Sequence, residues 1–250
     1  LFKEFWAARD EYIEVVLDRS NVTRSEFLSK HLVSPFSPAE TVPVWKLLEL
    51  QRHLMLMYTS CGWFFDEISG IETIQVIAYA ARAVQLAVEL FAQPLEEQFL
   101  SKLALAKSNV AEEGDAASIY RRRVKPAMAD LAKVGAHYAV SSMFERYPEK
   151  AVIYCYDVLR TELREATSGR IHLAVGKAQI ASRITLEPEW IQYAVLHFGD
   201  QNIHARVARF GPEKSFERVM ESLLAAFARS DLAAVIRLMD KAFQSEITLR

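Results

Sequence analysis

The chain has 250 residues, 51% of them hydrophobic and 25% charged, with a formal net charge of -2. That apolar content can bury one large core or two small ones and excludes a disordered chain. The near-balance of charge offers no basic excess for phosphates, which counts against nucleic acid and anionic membrane surfaces as partners.

No run of about 18 uncharged apolar residues is present, and the N-terminus lacks the basic, apolar and small-residue succession of an export signal. The expectation is a cytoplasmic protein without a membrane span. Cys61 and Cys155 lie far apart with no CxxC spacing, which argues against a zinc site or disulfide framework and reads as two small buried thiols. The chain opens at Leu1 inside an amphipathic pattern, LFKEFWAARDEYIEVVL, and stops at Arg250 where SEITLR begins something new. It is therefore expected to be a piece of a longer protein.

Three helix starts carry capping boxes, in which a Ser or Thr oxygen takes one free N–H and an acidic side chain three residues on returns to another. They are Thr23 to Glu26, Ser37 to Glu40 and Ser69 to Glu72. Pro38 follows Ser37 at the first helical position, where its missing N–H costs nothing, and a long helix from Pro38 toward Tyr58 is expected. Between Ile71 and Leu90 the apolar positions Ile74, Ile77, Ala78, Ala81, Val84, Leu86 and Val88 cover most of the helix circumference, predicting a central helix buried on several sides. The next helix begins near Pro94. Residues 115 to 146 read as one or two more, with Pro126 as a kink or boundary.

After Pro148 the apolar period falls from about 3.6 to about 2. AVIYCYDVLRTELREAT, RIHLAVGKAQIASRI, EWIQYAVLHF and NIHARVARF read as antiparallel strands separated by turn residues. Gly176 reads as a bulge in the second strand, because apolar positions shift from Ile171, Leu173 and Val175 to Ala178 and Ile180. The last section, PEKSFERVMESLLAAFARSDLAAVIRLMDKAF, returns to the helical period and breaks at Ser230, read as the cap of the final helix. The fold class is α+β, mainly α: a helical bundle over 1–147, a small antiparallel β subdomain over 148–210, and a C-terminal helical hairpin over 211–250 packing back on the bundle.

The common local signatures of catalysis and cofactor binding are absent: no Gly-rich phosphate loop, GxSxG elbow, HExxH or Cys/His cluster. No catalytic residue, cofactor or metal ligand is assigned. One stretch stands out, TSCGWFFDEISGIET from Thr59 to Thr73, where Cys61, Gly62, Trp63, Phe64 and Phe65 run directly into Asp66 and Glu67. With Ser69 and Glu72 assigned to a cap, Trp63, Asp66 and Glu67 remain, and in a helix their spacings of three and four would share one face. A flat indole beside carboxylate acceptors suits a pyranose, whose C–H faces stack while its hydroxyls need directed partners. The alternative is ordinary core aromatics with Asp66 capping the turn. Gly62 speaks for a bend or close approach, since Gly inside a helix costs ~0.5–1 kcal/mol relative to Ala.

A second polar concentration, LHFGDQNIHA, carries His197, Asp200, Asn202 and His204. Asp200 and Asn202 are ordinary hairpin-turn residues, and two His across a turn form too unspecific a spacing to assign a metal. The run Arg121, Arg122, Arg123 reads as a solvated helix face.

LLELQRHLMLMYTSCGWFFDEISGIETIQVIAYAARAVQLA, with YAVLHFGDQNI and LAAVIRLMDKAF, resembles an uncharacterised bacterial C-terminal domain, domain of unknown function 3536, that follows a glycoside hydrolase family 57-like catalytic domain. The resemblance covers most of the chain and implies a non-catalytic accessory role. In family 57 enzymes the nucleophile and general acid sit on an N-terminal distorted (β/α) barrel, and a following helical region packs over its mouth. The catalytic carboxylates are accordingly expected upstream of Leu1. The implied partners are that barrel, in the same polypeptide, and an α-glucan. Cys61, Trp63, Asp66, Glu67, His197, Asp200 and Asn202 are the expected substrate-binding or interdomain residues. A purely structural or interdomain module with no sugar contact is the rival expectation.

Overall fold

The computed structural model describes residues 1–209, 213–243 and 247–249, and the chain divides into two compact units, Leu1–Met128 and Ala129–Arg250. The chain as a whole is α+β and mainly α.

The first unit is helical: α1 (Phe5–Leu17), α2 (Asn21–His31), α3 (Pro38–Leu56), the single turn α4 (Cys61–Phe64), α5 (Ile71–Phe91), α6 (Leu95–Leu103) and the short α7 (Ala116–Ile119). From α7 the chain runs through a π-helical turn at Tyr120–Val124 and a 3-10 turn at Lys125–Ala127, so the helix breaks around Pro126. One end of the unit is an aromatic core in which Tyr12, Phe27 and Trp45 meet with ring centroids 5.9–6.3 Å apart. The Tyr12 hydroxyl donates to the buried Glu49 carboxylate at 2.6 Å, and Arg19 reaches the same oxygen at 2.8 Å. A buried carboxylate is costly unless paired and hydrogen-bonded, and these donors supply both.

Helix α5 is central, touching α3, α4, α6 and the π-helical turn. Ile77 and Ala81 face α6 and α7, while Ala83, Leu86 and Ala87 join Leu50 of α3. Among the described residues it is the one helix long and apolar enough to cross a membrane by length and composition.

The helix starts match the expected capping boxes at one of three places. Glu40 does return to the Ser37 N–H at 2.8 Å. Helix α2 instead starts at Asn21, where the preceding Ser20 caps it by accepting from the Thr23 N–H. Helix α5 is led by Gly70, because the Ser69 N–H is already taken by the Glu67 carboxylate.

The second unit is built on a sheet of six antiparallel strands in meander order: β1 (Lys150–Ile153), β2 (Tyr156–Ser168), β3 (Ile171–Ser182), β4 (Pro188–Gly199), β5 (Asn202–Arg209) and β6 (Ile247–Leu249). One face is covered by α8 (Leu131–Ser141), which packs on Ala178, Ile180, Ile191, Tyr193 and Val195. The other face carries Leu173, Val175, Ala194 and Leu196 under the hairpin of α9 (Glu213–Ala228) and α10 (Leu232–Ala242). Phe216, Met220, Leu223 and Phe227 form the buried stripe of α9, and Val235 and Met239 that of α10, at the three- and four-residue spacings of a helical face. Asp231, not Ser230, caps α10 by accepting from the Ala234 N–H, while Ser230 takes the left-handed turn that ends α9.

Two expectations are corrected by this sandwich. The unit boundary falls at 128/129 rather than 147/148, because α8 shares its apolar core with the sheet, and the hairpin packs on the sheet's opposite face. The other expected boundary, at 210/211, lies outside the described residues. The apolar shift along β3 is not a bulge: β3 runs unbroken against β4, and both of its faces are buried, one by α8 and one by α9 and α10. The irregularity sits on β2, between Arg160 and Glu162. Gly176 has a different reason, since a Cβ there would lie 2.5 Å from the Glu162 carbonyl oxygen and 2.6 Å from the Tyr193 hydroxyl.

Candidate functional site

The block between α3 and α5 is a short aromatic ledge on a tightly fastened base. After α3, Gly62 and Trp63 donate to Thr59 and Ser60 carbonyls and wind the single turn α4. That turn lies against α5: a Cβ on Gly62 would come within 2.9 Å of Val76, and the Thr73 hydroxyl donates to the Gly62 carbonyl at 3.2 Å. Glycine is thus required for close approach. Phe65 then leaves the helix in an extended conformation.

Consequently Trp63, Asp66 and Glu67 do not share a helical face; the helix ends at Phe64. Trp63 is 73% exposed and Phe64 71%, with Phe65 and Asp66 also exposed. Phe64 and Phe65 meet edge to face at 5.1 Å. This rules out the core-aromatic alternative. Cys61 is exposed and Cys155 half-buried, so neither is the buried thiol expected; the tight seat of Gly62 on α5 turns the neighbouring side chains outward.

Glu67 has a separate task. Its carboxylate accepts from the Ser108 hydroxyl at 2.6 Å, the Ser69 N–H at 2.7 Å and the Asn109 N–H at 2.8 Å. The Ser108 hydroxyl foremost, with the backbone donors, holds its pKa down at about 2. The Asn109 amide also donates to the Asp66 carbonyl at 2.5 Å. Arg123 ties the same segment from another side, donating to the Ser69 carbonyl at 3.2 Å while it pairs with Glu113, which also holds Arg122 at 2.7 Å. Two members of the basic run are therefore structural cations of this junction. The fastening residues Ser108, Asn109 and Glu113 lie about forty positions from the ledge, and no local signal in the sequence links them to it.

The remaining candidates belong to the second unit. His197, on β4, donates from Nε2 to the Asp200 carbonyl at 3.0 Å, and its ring stacks on His172 at 6.0 Å and meets Phe144 edge-on at 5.2 Å. Asp200 occupies the left-handed region and Asn202 pairs with Gly199, so both shape the β4–β5 turn. His204 aligns with Leu196 on the hairpin-covered face, opposite His197, and binds Asp240 at 3.2 Å beside Arg206 at 2.5 Å. Strand alternation keeps the two imidazoles apart, which removes a shared metal. Among the described residues no three His, Cys, Asp or Glu gather as a metal site.

Searches among curated proteins and among solved structures find no match to the chain. A family model does match, and it runs over residues 1–250. The chain belongs to the family described as domain of unknown function (DUF3536).

Proposed function

We propose that the chain is a non-catalytic accessory domain that presents the Trp63–Phe65 ledge and Asp66 to an α-glucan in the cleft of a glycoside hydrolase family 57-like catalytic barrel elsewhere in the polypeptide. The carrying observation is the exposure of Trp63 on a base held by Gly62, Glu67 and Ser108. An indole fixed in this way is a stacking surface that loses little freedom on binding. Asp66 beside it offers an acceptor for sugar hydroxyls. Glu67 is unsuited to act as a general acid, because a proton donor needs a pKa near the working pH and this carboxylate is held ionised at about 2.

Phe64 and Phe65 favour a second reading, an interdomain contact without sugar. They have no polar handle, and side chains of this kind are enriched where proteins bury area against one another. Fluorescence titration with maltooligosaccharides separates the two. The glucan reading expects a saturable change that is lost in Trp63→Phe and weakened in Asp66→Asn; the interdomain reading expects no change with sugar and binding of the isolated barrel supplied in trans.

A further inference from the structure

In the second unit, the sheet face covered by α8 changes character along its length. Where α8 lies over it the face is apolar, with Ala178, Ile180, Ile191, Tyr193 and Val195. The helix ends at Ser141, and beyond it the same face carries Arg160, Glu165 and Thr167 on β2, His172 on β3 and His197 on β4. The segment Ser142–Tyr147 curls beside these residues and closes a groove of about 560 Å³. Its walls hold Phe144 and Tyr147, its charges are Glu145, Arg146, Arg160 and Glu165, and Thr167 and His172 stand at one end, joined at 3.1 Å.

The charges of this groove are largely uncommitted. Glu145, Arg146 and Glu165 make no ion pair among the described residues, and Arg160 makes a long 3.4 Å contact to the Tyr147 carbonyl. Behind its wall, the Tyr147 ring meets the wholly buried Tyr138 at 5.7 Å, and Tyr138 meets the equally buried Tyr193 edge to face at 6.0 Å.

We propose that this groove binds a short neutral oligosaccharide. An anion would be opposed by Glu145 and Glu165, and a cation by Arg146 and Arg160. An apolar ligand would bury these charges unpaired, at a cost no hydrophobic gain of this size offsets. A neutral polyol uses both signs at once: carboxylates accept from its hydroxyls, guanidinium groups donate to its oxygens, and Phe144 and Tyr147 cover C–H faces. The volume lies within the roughly 300–1,000 Å³ range of small-molecule sites. Every residue of the groove belongs to the second unit, so the proposal stands apart from the ledge on the first.

The test is calorimetry and chemical-shift mapping on the whole chain with α-1,4- and β-1,4-linked glucose oligomers of two to four units, alongside glycine, phosphate and citrate as charged controls. Saturable binding of a sugar with shifts at Phe144, Thr167 and His172 is expected. Glu165→Gln and Arg146→Gln, both at exposed positions, are each expected to weaken it about tenfold, the loss of one charge-assisted hydrogen bond. Melting temperatures of both variants near that of the parent separate this loss from misfolding, and shifts at Phe144, Thr167 and His172 separate groove binding from binding at the ledge. The proposal is overturned if no sugar binds saturably, if phosphate, citrate or glycine binds in the groove instead, or if sugar binding survives both groove variants and shifts only the ledge residues Trp63, Phe64 and Phe65. That last result would support the ledge and sink the groove.

Discussion

The Glu67 carboxylate accepts the Ser108 hydroxyl at 2.6 Å across forty-one positions of sequence, and this bond with its two backbone companions holds the aromatic ledge to the rest of the first unit. Because the bonds stabilise the ionised form, the pKa of Glu67 is lowered from 4.5 to about 2. A group depressed on folding contributes stability that is complete above its unfolded pKa and is lost as pH falls through the folded one. Asp115, capping α7 and bound by Lys107, shifts the same way, from 3.8 to about 2, with the Ser118 N–H as the chief cause. The loop around Ser108 and Asn109 should therefore loosen between about pH 4.5 and about pH 2, seen as faster exchange of the Asn109 amide. Glu67→Gln should show that faster exchange already at neutral pH. An Asn109 amide equally protected in parent and variant would show that Glu67 does not fasten the loop.

Two buried groups test the aromatic core of the first unit. Trp45 is fully buried, and Trp45→Ala should cost about 3–5 kcal/mol in urea unfolding. Glu49 is held by Tyr12, Arg19 and Arg52; burial raises its pKa, but the hydrogen bonds from Tyr12 and Arg19 outweigh it and the net shift is downward. Glu49→Ala leaves Arg19 and the Tyr12 hydroxyl facing a void and should cost about 3–5 kcal/mol, as for other broken buried pairs. A loss below about 1 kcal/mol would place the network among surface ion pairs.

Gly176→Ala tests the sandwich of the second unit. The new methyl group would meet the Glu162 carbonyl and the Tyr193 hydroxyl. Overpacking against backbone should cost about 1–3 kcal/mol. Gly169→Ala, with open space around its Cβ but a positive φ, should cost only the left-handed backbone penalty of about 1–2 kcal/mol and move no neighbour. A Gly176→Ala loss below about 0.5 kcal/mol in thermal unfolding would remove the steric account of Gly176.

Local pattern made much of this architecture legible. The Ser37, Pro38 and Glu40 signal placed α3, the alternation after Pro148 revealed the strands, and the return of the helical period in the last section announced the α9–α10 hairpin. What local pattern could not carry was partnership. The doubly buried β3 mimicked a bulge because the covering helices come from opposite sides of it in sequence. Ser69 looked like a cap because nothing near it announces that Glu67 will take its N–H. At the candidate site, the odd composition of Thr59 to Thr73 was visible at once, yet the division of labour was not. Glu67 became a fastener and Trp63 an exposed surface only when the distant Ser108 was brought alongside.

The most direct test of the accessory reading pairs two measurements on one substitution, Trp63→Ala: the free energy of unfolding and the affinity of the ledge for maltooligosaccharide, read from shifts at Phe64, Phe65 and Asp66. An indole this exposed contributes little to the fold, so stability should stay within about 0.5 kcal/mol of the parent. Affinity should fall at least about tenfold, the scale of a lost aromatic stacking contact. Unchanged glucan affinity, or a stability loss of about 3 kcal/mol or more as for a core Trp, would contradict the account.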